Sequence, residues 1–404
     1  MIVFESSLFL NLRKNREILC IFAGISTNNL KMAFFIIVFL LHTLINTYIF
    51  YRGWRAFPKS PYVKILYSII FFIFYSSFAI MMLGRNIFPL EIQKIFYFLG
   101  TTWLAAMVYI TGYFLLTDLI FLLNRKFRFL RKEITSRLFH RFQVFSGYAI
   151  VFILLLFGHQ KFRHPEVVEK DIYIDKPATN YKELKVVGFS DIHLGVTVDK
   201  EKLKGYVRLI NKQKPDIIII AGDMVDNNVF PLMEEKMYEE INDLQAPLGV
   251  YFCLGNHEYL SGINESLEFF NQTTKMTILK DQAIHIDDSF WIIGRDDKHN
   301  PDRKELKELT AKTNPNQPLF LLDHQPYHLE QAEENGIDLQ FSGHTHHGQL
   351  WPFNYIVDMI YEVGHGYKKK GNTHIYVSSG LALWGPEYRI GTQSELVVFN
   401  VKFK

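Results

Sequence analysis

The sequence predicts two unlike parts in one chain: an N-terminal all-α transmembrane region of about four helices, followed by an α/β domain. Three observations predict it. Charge is divided unequally, with 19 Lys/Arg and 5 Asp/Glu in residues 1–163 against 25 and 36 in residues 164–404, although the whole chain of 404 residues sums to +3. Apolar runs of spanning length occur only in the first part. In the second part, short apolar runs alternate with amphipathic stretches, and five of them are followed by an Asp, Asn or His.

A hydrophobic content of 49% excludes a disordered chain. Two cysteines, Cys20 and Cys253, exclude a disulfide framework and a structural zinc site of their own, and leave the redox compartment open. An asymmetry of this size points to a membrane or nucleic acid beside the basic part.

The apolar runs decide for the membrane. Residues 33–51 and 65–83 each give 19 residues without a formal charge. Residues 95–123 form a longer run with one acid, Asp118, and residues 142–158 give 17, the low edge of what a hydrocarbon core of about 30 Å requires. A soluble core helix would show a polar face at 3.6-residue spacing; these runs are apolar all round. Residues 1–31 contain short pieces broken by Arg13, Lys14 and Arg16 and lack a small-residue cleavage site. They are treated as a candidate extension ahead of a second start, Met32, and the transmembrane region as 32–159. The first connection carries Arg52, Arg55, Lys59 and Lys64, the third carries seven basic residues, and the second only Arg85 and Lys94. The positive-inside rule then places the first and third connections in the cytoplasm and the acidic domain outside it. His42, Asn46 and Asp118 are polar groups at membrane depth, expected to bond a neighbouring helix or reach water.

Residues 160–180, polar and containing Pro165 and Pro177, read as a linker, and 181–404 as one domain. Strands are expected at 184–190, 216–221, 248–254, 290–294, 319–322 and 339–342, with a helix over 201–214. The motifs follow these strands: Asp191-Ile192-His193, Gly222-Asp223, Gly255-Asn256-His257-Glu258, Asp323-His324 and Gly343-His344-Thr345-His346. In open α/β sheets, sites form beyond the carboxyl ends of the strands. Taken singly, an Asp there is most often a cap or turn residue and a lone His a bonded core or surface group. Five such events in order are another matter. Residues two apart on extended chain share a face, so Asp191 with His193, and His344 with His346, can each grip one cation. Asp191, Asp223, Asn256 and the imidazoles of His193, His324, His344 and His346 make a donor set suited to zinc, manganese or iron. With Asp223 shared, these seven serve two metals, the arrangement that clamps a phosphoryl group and acidifies a water.

In this order the motifs resemble those of the calcineurin-like metallophosphoesterases, over about residues 183–400. The resemblance implies a four-layer α/β sandwich with two mixed β-sheets inside and helices outside, and hydrolysis of phosphate monoesters, diesters or anhydrides with two divalent or trivalent metals. It implies that Asp191, His193 and His346 bind the first metal, that Asn256, His324 and His344 bind the second, and that Asp223 bridges. His257 is then the catalytic histidine that stabilises the transition state or protonates the leaving oxygen. The segments 343–349 and 378–386 resemble the membrane-attached bacterial branch, and a vertebrate membrane protein shares the multi-span arrangement. His347 and Ala382 stand where that branch has glycine.

The expected function is a membrane-anchored, binuclear-metal phosphoesterase acting by in-line attack of a metal-bridging hydroxide, with His257 supporting departure. Its expected partners are the lipid bilayer and a phosphorylated substrate, for which a lipid-linked phosphate is a candidate; nucleic acid is not expected. The rival reading is a non-catalytic membrane sensor or scaffold that binds a phosphorylated ligand at the metal site. Asp226 and Glu258 are candidates for orienting the ligands. Arg295, Asp296, Asp297 and Arg389 could contact phosphate, with ordinary salt bridges favoured. The three lysines 368–370 read as a solvated loop or a headgroup contact. His285, His299, His328, His365 and His374 have no positional support.

Overall fold

The computed structural model describes residues 27–84, 87–130 and 137–404. Most of the candidate extension 1–31, with Cys20, lies outside them, as do Arg85 of the second connection and Arg131 and Lys132 of the third. Among the described residues, four helices are long and apolar enough to cross a membrane: α1 (Thr27–Ala56), α2 (Pro61–Gly84), α3 (Leu90–Phe127) and α4 (Arg137–Arg163). The chain divides into two compact units, residues 27–79 with 103–153, and Ile80–Thr102 with Leu154–Lys404.

In the first unit the helices pack through Ile49, Phe114 and Val144, while Leu44, Phe72 and Leu122 stay exposed, as a lipid-facing surface requires. Of the three polar groups expected at membrane depth, Asn46 and Asp118 find partners on neighbouring helices, whereas His42 Nε2 is buried without one. Asn46 accepts from the Trp103 indole at 2.8 Å and donates to the His42 carbonyl at 2.8 Å. Asp118 accepts from Tyr48 at 2.6 Å and pairs with Arg52. Arg52 is therefore not a loop cation: α1 runs five residues past its apolar stretch, and the guanidinium turns back to Asp118.

The second unit carries the strands β1 (Glu166–Ile174), β2 (Glu183–Phe189), β3 (Ile217–Ala221), β4 (Val250–Cys253), β5 (Thr277–Leu279), β6 (Gln282–Ile286), β7 (Phe290–Gly294), β8 (Leu319–Leu322), β9 (Leu339–Ser342), β10 (Gly366–Lys370), β11 (Thr373–Val377) and β12 (Glu395–Phe403). They form two six-stranded mixed sheets, ordered β1-β12-β2-β3-β4-β5 and β10-β11-β9-β8-β7-β6. The helices are α5 (Lys200–Lys212), α6 (Phe230–Glu234), α7 (Tyr238–Ile241), α8 (Asn256–Leu260), α9 (Ile263–Thr273), α10 (Leu306–Thr310), α11 (Glu330–Glu334) and α12 (Phe353–Ile360).

Packing makes four layers. Val186, Ile217, Ile219 and Cys253 of the first sheet meet Ile292, Phe320, Phe341 and Tyr376 of the second between the sheets. On the outer face of the first sheet, Leu203, Val207 and Ile210 of α5 and Phe269 and Phe270 of α9 cover Val187, Phe189 and Phe252. On the other side, Leu306 and Leu309 of α10 and Ala332 of α11 cover Ile293, Leu319 and Leu321. Runs apolar at every position, such as Ile217–Ala221, are strands buried on both faces.

Two sequence expectations are corrected. The stretch 160–180 is not a linker: α4 continues to Arg163, and β1 pairs in parallel with β12 from Glu166↔Glu395 to Ile174↔Phe403. As an edge strand β1 carries charges on its open side and inserts only Ile172 and Ile174 into the core, the composition that protects an edge. The three lysines 368–370 likewise sit in edge strand β10, where Lys368 and Lys370 pair with Glu362 at 3.0 and 2.9 Å.

Candidate metal centre

The carboxyl ends of β2, β3, β4, β8 and β9 open onto one rim, and all seven proposed ligands lie there. Asp191, His193 and His346 bring ligand atoms together in one group, and Asp223, His324 and His344 in another. His193 Nε2 is 3.1 Å from His346 Nε2, and His346 Nε2 is 3.4 Å from Asp191 Oδ1. In the second group, His324 Nε2 is 3.1 Å from both Asp223 Oδ2 and Asn256 Oδ1, and His344 Nδ1 is 2.7 Å from Asn256 Oδ1. Asp223 Oδ2 also lies 3.8 Å from His193 Nε2, so its carboxylate stands between the groups.

These side chains converge for a different reason from that expected. They are not on extended chain. Asp191, His193, Asp223, His344 and His346 have φ of 54°, 48°, 56°, 72° and 47°. Side chains rarely adopt this left-handed region, and such residues gather where surrounding structure imposes them. Two glycines make room: a Cβ on Gly255 would collide with the Asp223 carboxylate, and one on Gly343 with that of Asp191.

The loops are held from beneath by two buried charges. Both oxygens of Glu258 accept backbone N–H groups, Oε1 from Met224 and Val225 at 2.7 and 3.0 Å, Oε2 from Asp223 and Gly255 at 3.1 and 2.7 Å. Arg389 donates to the carbonyls of His346, Ser379 and Ala382 at 2.8, 2.6 and 2.6 Å, and to Ser394 Oγ at 3.2 Å. Its guanidinium donors are engaged by the chain itself, and among the described residues it forms no salt bridge. Arg295 does pair with a carboxylate, Asp323, at 3.3 Å, while Asp297 accepts from Gln325 and His299.

The residues fit cations on the chemistry of the donor set. Ligand atoms about 2.1 Å from a tetrahedral zinc stand about 3.4 Å from one another, within the 2.7 to 3.8 Å range of the distances here. Burial holds His193 and His346 well below the usual imidazole range, so both are neutral donors. Burial and the charge of His324 lower His344 to about 3. The other nitrogens of these rings, His193 Nδ1, His344 Nε2 and His346 Nδ1, are buried without a hydrogen-bond partner; they face away from the atoms that meet in the two groups, and the fit to cations rests on the donor set. Burial raises Asp191 to about 6. Against burial, the positive charges of His324 and His257 hold Asp223 well below the carboxylate range, and Asp223 raises His324 well above its own.

His257 sits on α8 with its amide N–H donating to Asp223 Oδ1 at 2.8 Å and its Nδ1 2.6 Å from the Asp226 carbonyl. Burial lowers its affinity for a proton, but Asp223 and Asp226 outweigh that and raise it. Asp226 belongs to the site: its Oδ1 is 3.9 Å from His193 Nδ1 and 3.8 Å from His257 Nδ1. Its other oxygen accepts from Tyr97 at 3.3 Å. Tyr97 carried no sequence signal, because it lies in an apolar run that reads as lipid-embedded. His347 is half-buried, stacked on His365 with centroids 4.8 Å apart and 3.5 Å from Asp358. His285 stacks on Trp291, and His328, His365 and His374 bond Glu330, Glu395 and Tyr367.

Fold and rim define an α/β metal-binding protein joined to helices of membrane-spanning length. Residues 184–348 match the calcineurin-like phosphoesterase family. An uncharacterized metallophosphoesterase of Campylobacter jejuni is 30% identical over 390 residues, covering 92% of this chain and 99% of the relative. One from Helicobacter pylori is 33% identical over 264 residues, 62% of this chain and 70% of the relative. A transmembrane protein with metallophosphoesterase domain from Danio rerio is 31% identical over 262 residues, 59% of this chain and 57% of that protein. The chain belongs to the calcineurin-like metallophosphoesterase family.

Proposed function

We propose that the protein is a membrane-anchored phosphoesterase that uses two metal ions to hydrolyse a phosphate ester or anhydride. The observation that carries this reading is the position of Asp223 Oδ2, 3.1 Å from His324 Nε2 of one ligand group and 3.8 Å from His193 Nε2 of another, with His257 directly beside it. Asp191, His193 and His346 would hold one ion and Asn256, His324 and His344 the other, with Asp223 common to both; manganese, zinc and iron suit these donors. When bound, such ions supply Lewis-acid charge to the phosphoryl oxygens and a more acidic water. The chain's own part is to place them and to handle the proton. His257 bonds the Asp226 carbonyl through Nδ1, which leaves Nε2 to carry a proton to the leaving oxygen, and Asp223 and Asp226 favour that protonated form. A site that only bound a phosphorylated ligand would have no use for this arrangement.

Loop charges support an extracytoplasmic active site. The test is metal analysis of the purified full chain, followed by assays on phosphate monoesters, diesters and pyrophosphates. Asp223→Asn is expected to abolish hydrolysis of an aryl phosphate while preserving the fold; most of the activity surviving refutes the shared role.

A further inference from the structure

One exposed surface has no part in the metal centre. Helix α12 follows the His344–Gly348 turn and is anchored by a single buried side chain, Val357. Around it, Trp351, Phe353, Tyr355, Met359 and Ile360 are exposed, Met359 by 77% and Tyr355 by 59%. At 3.6 residues per turn, Tyr355, Met359, Ile356, Ile360 and Phe353 sweep one continuous arc of about 160°. The polar residues Asn354 and Asp358 fall outside it. An exposed stripe of this composition marks an interaction surface, and aromatic and aliphatic side chains at the end of a spanning segment suit the membrane interface.

Position selects the partner. The Trp351 backbone N–H donates to the Ile390 carbonyl at 2.7 Å, and the Glu387–Ile390 segment is fastened to α3 at Thr102 and to α4 at Gly158 and His159. Arg389 N donates to the Gly158 carbonyl of α4 at 2.9 Å, Tyr388 meets Thr102 of α3 at 2.9 Å, and His159 Nδ1 lies 3.1 Å from the Glu387 carbonyl. All of these belong to one compact unit. Only His164 and Pro165 separate α4 from β1. At the same time α12 abuts the metal centre: Phe353 N donates to the Leu350 carbonyl at 2.9 Å, and Asp358 stands 3.5 Å from His347, the neighbour of His346. Exposed apolar side chains also follow the other site residues, Phe230 and Met233 after Asp226, and Leu260 after His257.

We propose that the apolar face of α12 lies in the bilayer interface beside the metal centre, and that the site draws its phosphate from an amphiphile held in that bilayer. The substrate half rests on the phosphoesterase reading; the bilayer half does not.

The test uses the full chain in nanodiscs of mixed phosphatidylcholine and phosphatidylglycerol. A spin label on Met359→Cys, in a Cys20→Ser background in which Cys253 stays buried, is expected to show oxygen collision above that of a label on Asp358→Cys, and protection from an aqueous nickel chelate. Equal aqueous access at both positions overturns the bilayer contact. So does dipolar coupling between Met359 labels, which would make the face an interface between copies. In the second arm, Phe353→Ser/Met359→Ser is expected to lower kcat/KM on phosphatidate in the same nanodiscs at least tenfold, and to change it less than twofold on glycerol phosphate and aryl phosphate. Parallel losses on all three, or turnover of the soluble esters with none of phosphatidate, overturn the substrate half. If the parent chain hydrolyses none of them, the phosphoesterase reading fails, while the label still decides the bilayer contact.

Discussion

Replacing Glu258 by Gln tests how the site is held together. The carboxylate is fully buried, and each oxygen accepts two backbone N–H groups. Gln keeps one oxygen, which can still serve Met224 and Val225, but turns an NH2 toward the donors of Asp223 and Gly255. Two buried N–H groups then lose their acceptor, at about 1–3 kcal/mol each, or roughly 2–6 kcal/mol together. For a domain of this size a loss of 1 kcal/mol moves the melting temperature by about 2–4 °C, so a fall of roughly 4–24 °C is expected. Thermal melts of parent and variant in one detergent, after chelation, measure it. An alternative makes the outcome informative: burial and the charge of Asp223 push the Glu258 carboxyl up to about 7, while the N–H bonds from Val225 and Gly255 pull it down. If it were protonated at neutral pH, Gln would mimic it and the melt would barely move. A shift below 2 °C at pH 8 would therefore refute the clamp as an anion.

The remaining predictions concern protons and the N-terminal end of α3. Below pH 6 the Asp191 carboxyl, raised by burial, takes up a proton and ceases to be a ligand, so metal affinity measured by competition with a chelator is expected to fall as the pH drops through that value. Near pH 7, cation binding is expected to release a proton from His324, whose affinity for it is raised by Asp223; calorimetric enthalpies that do not vary with buffer ionisation enthalpy would contradict this. Tyr97→Phe removes one hydroxyl from Asp226 and is expected to lower kcat up to tenfold on an alkyl phosphate with KM and metal content unchanged. A rise in KM alone would show that Tyr97 serves substrate binding and not the Asp226–His257 pair.

The sequence shows the four candidate spans plainly, because a helix apolar all round must be buried in a membrane or in a protein core, but it misplaces their ends. Helix α3 has 38 residues, about 57 Å at 1.5 Å per residue, against a hydrocarbon core of about 30 Å. The surplus packs on the phosphoesterase domain, where Lys94 pairs with Glu235 at 2.6 Å and Tyr97 reaches Asp226. Hydropathy cannot separate a residue facing lipid from one facing an apolar protein surface. Strand β1 was hidden for the opposite reason, since an edge strand with one wet side lacks the apolar run that announces a buried one. The candidate ligands were legible because each follows a strand that is unmistakable, although the sequence gives no hint of their left-handed backbone.

That backbone explains the two buried charges beneath the site. Where the chain leaves the strands to turn Asp191, His193, Asp223, His344 and His346 toward one point, its N–H and C=O groups leave the sheet ladders and still require partners. Local hydrogen bonding cannot supply them all in a run of left-handed residues. Glu258 collects the stranded N–H groups on the Asp223 side, and Arg389 collects the stranded carbonyls around His346 and Ser379. Each long side chain thus stands in for a piece of missing secondary structure, and a charged one does so with stronger bonds than a neutral one. The two charges oppose each other, so the supports add no net charge to a centre that already holds Asp191, Asp223 and Asp226. Of these, Asp191 and Asp223 belong to the donor set, and theirs is the negative charge that divalent cations would neutralise.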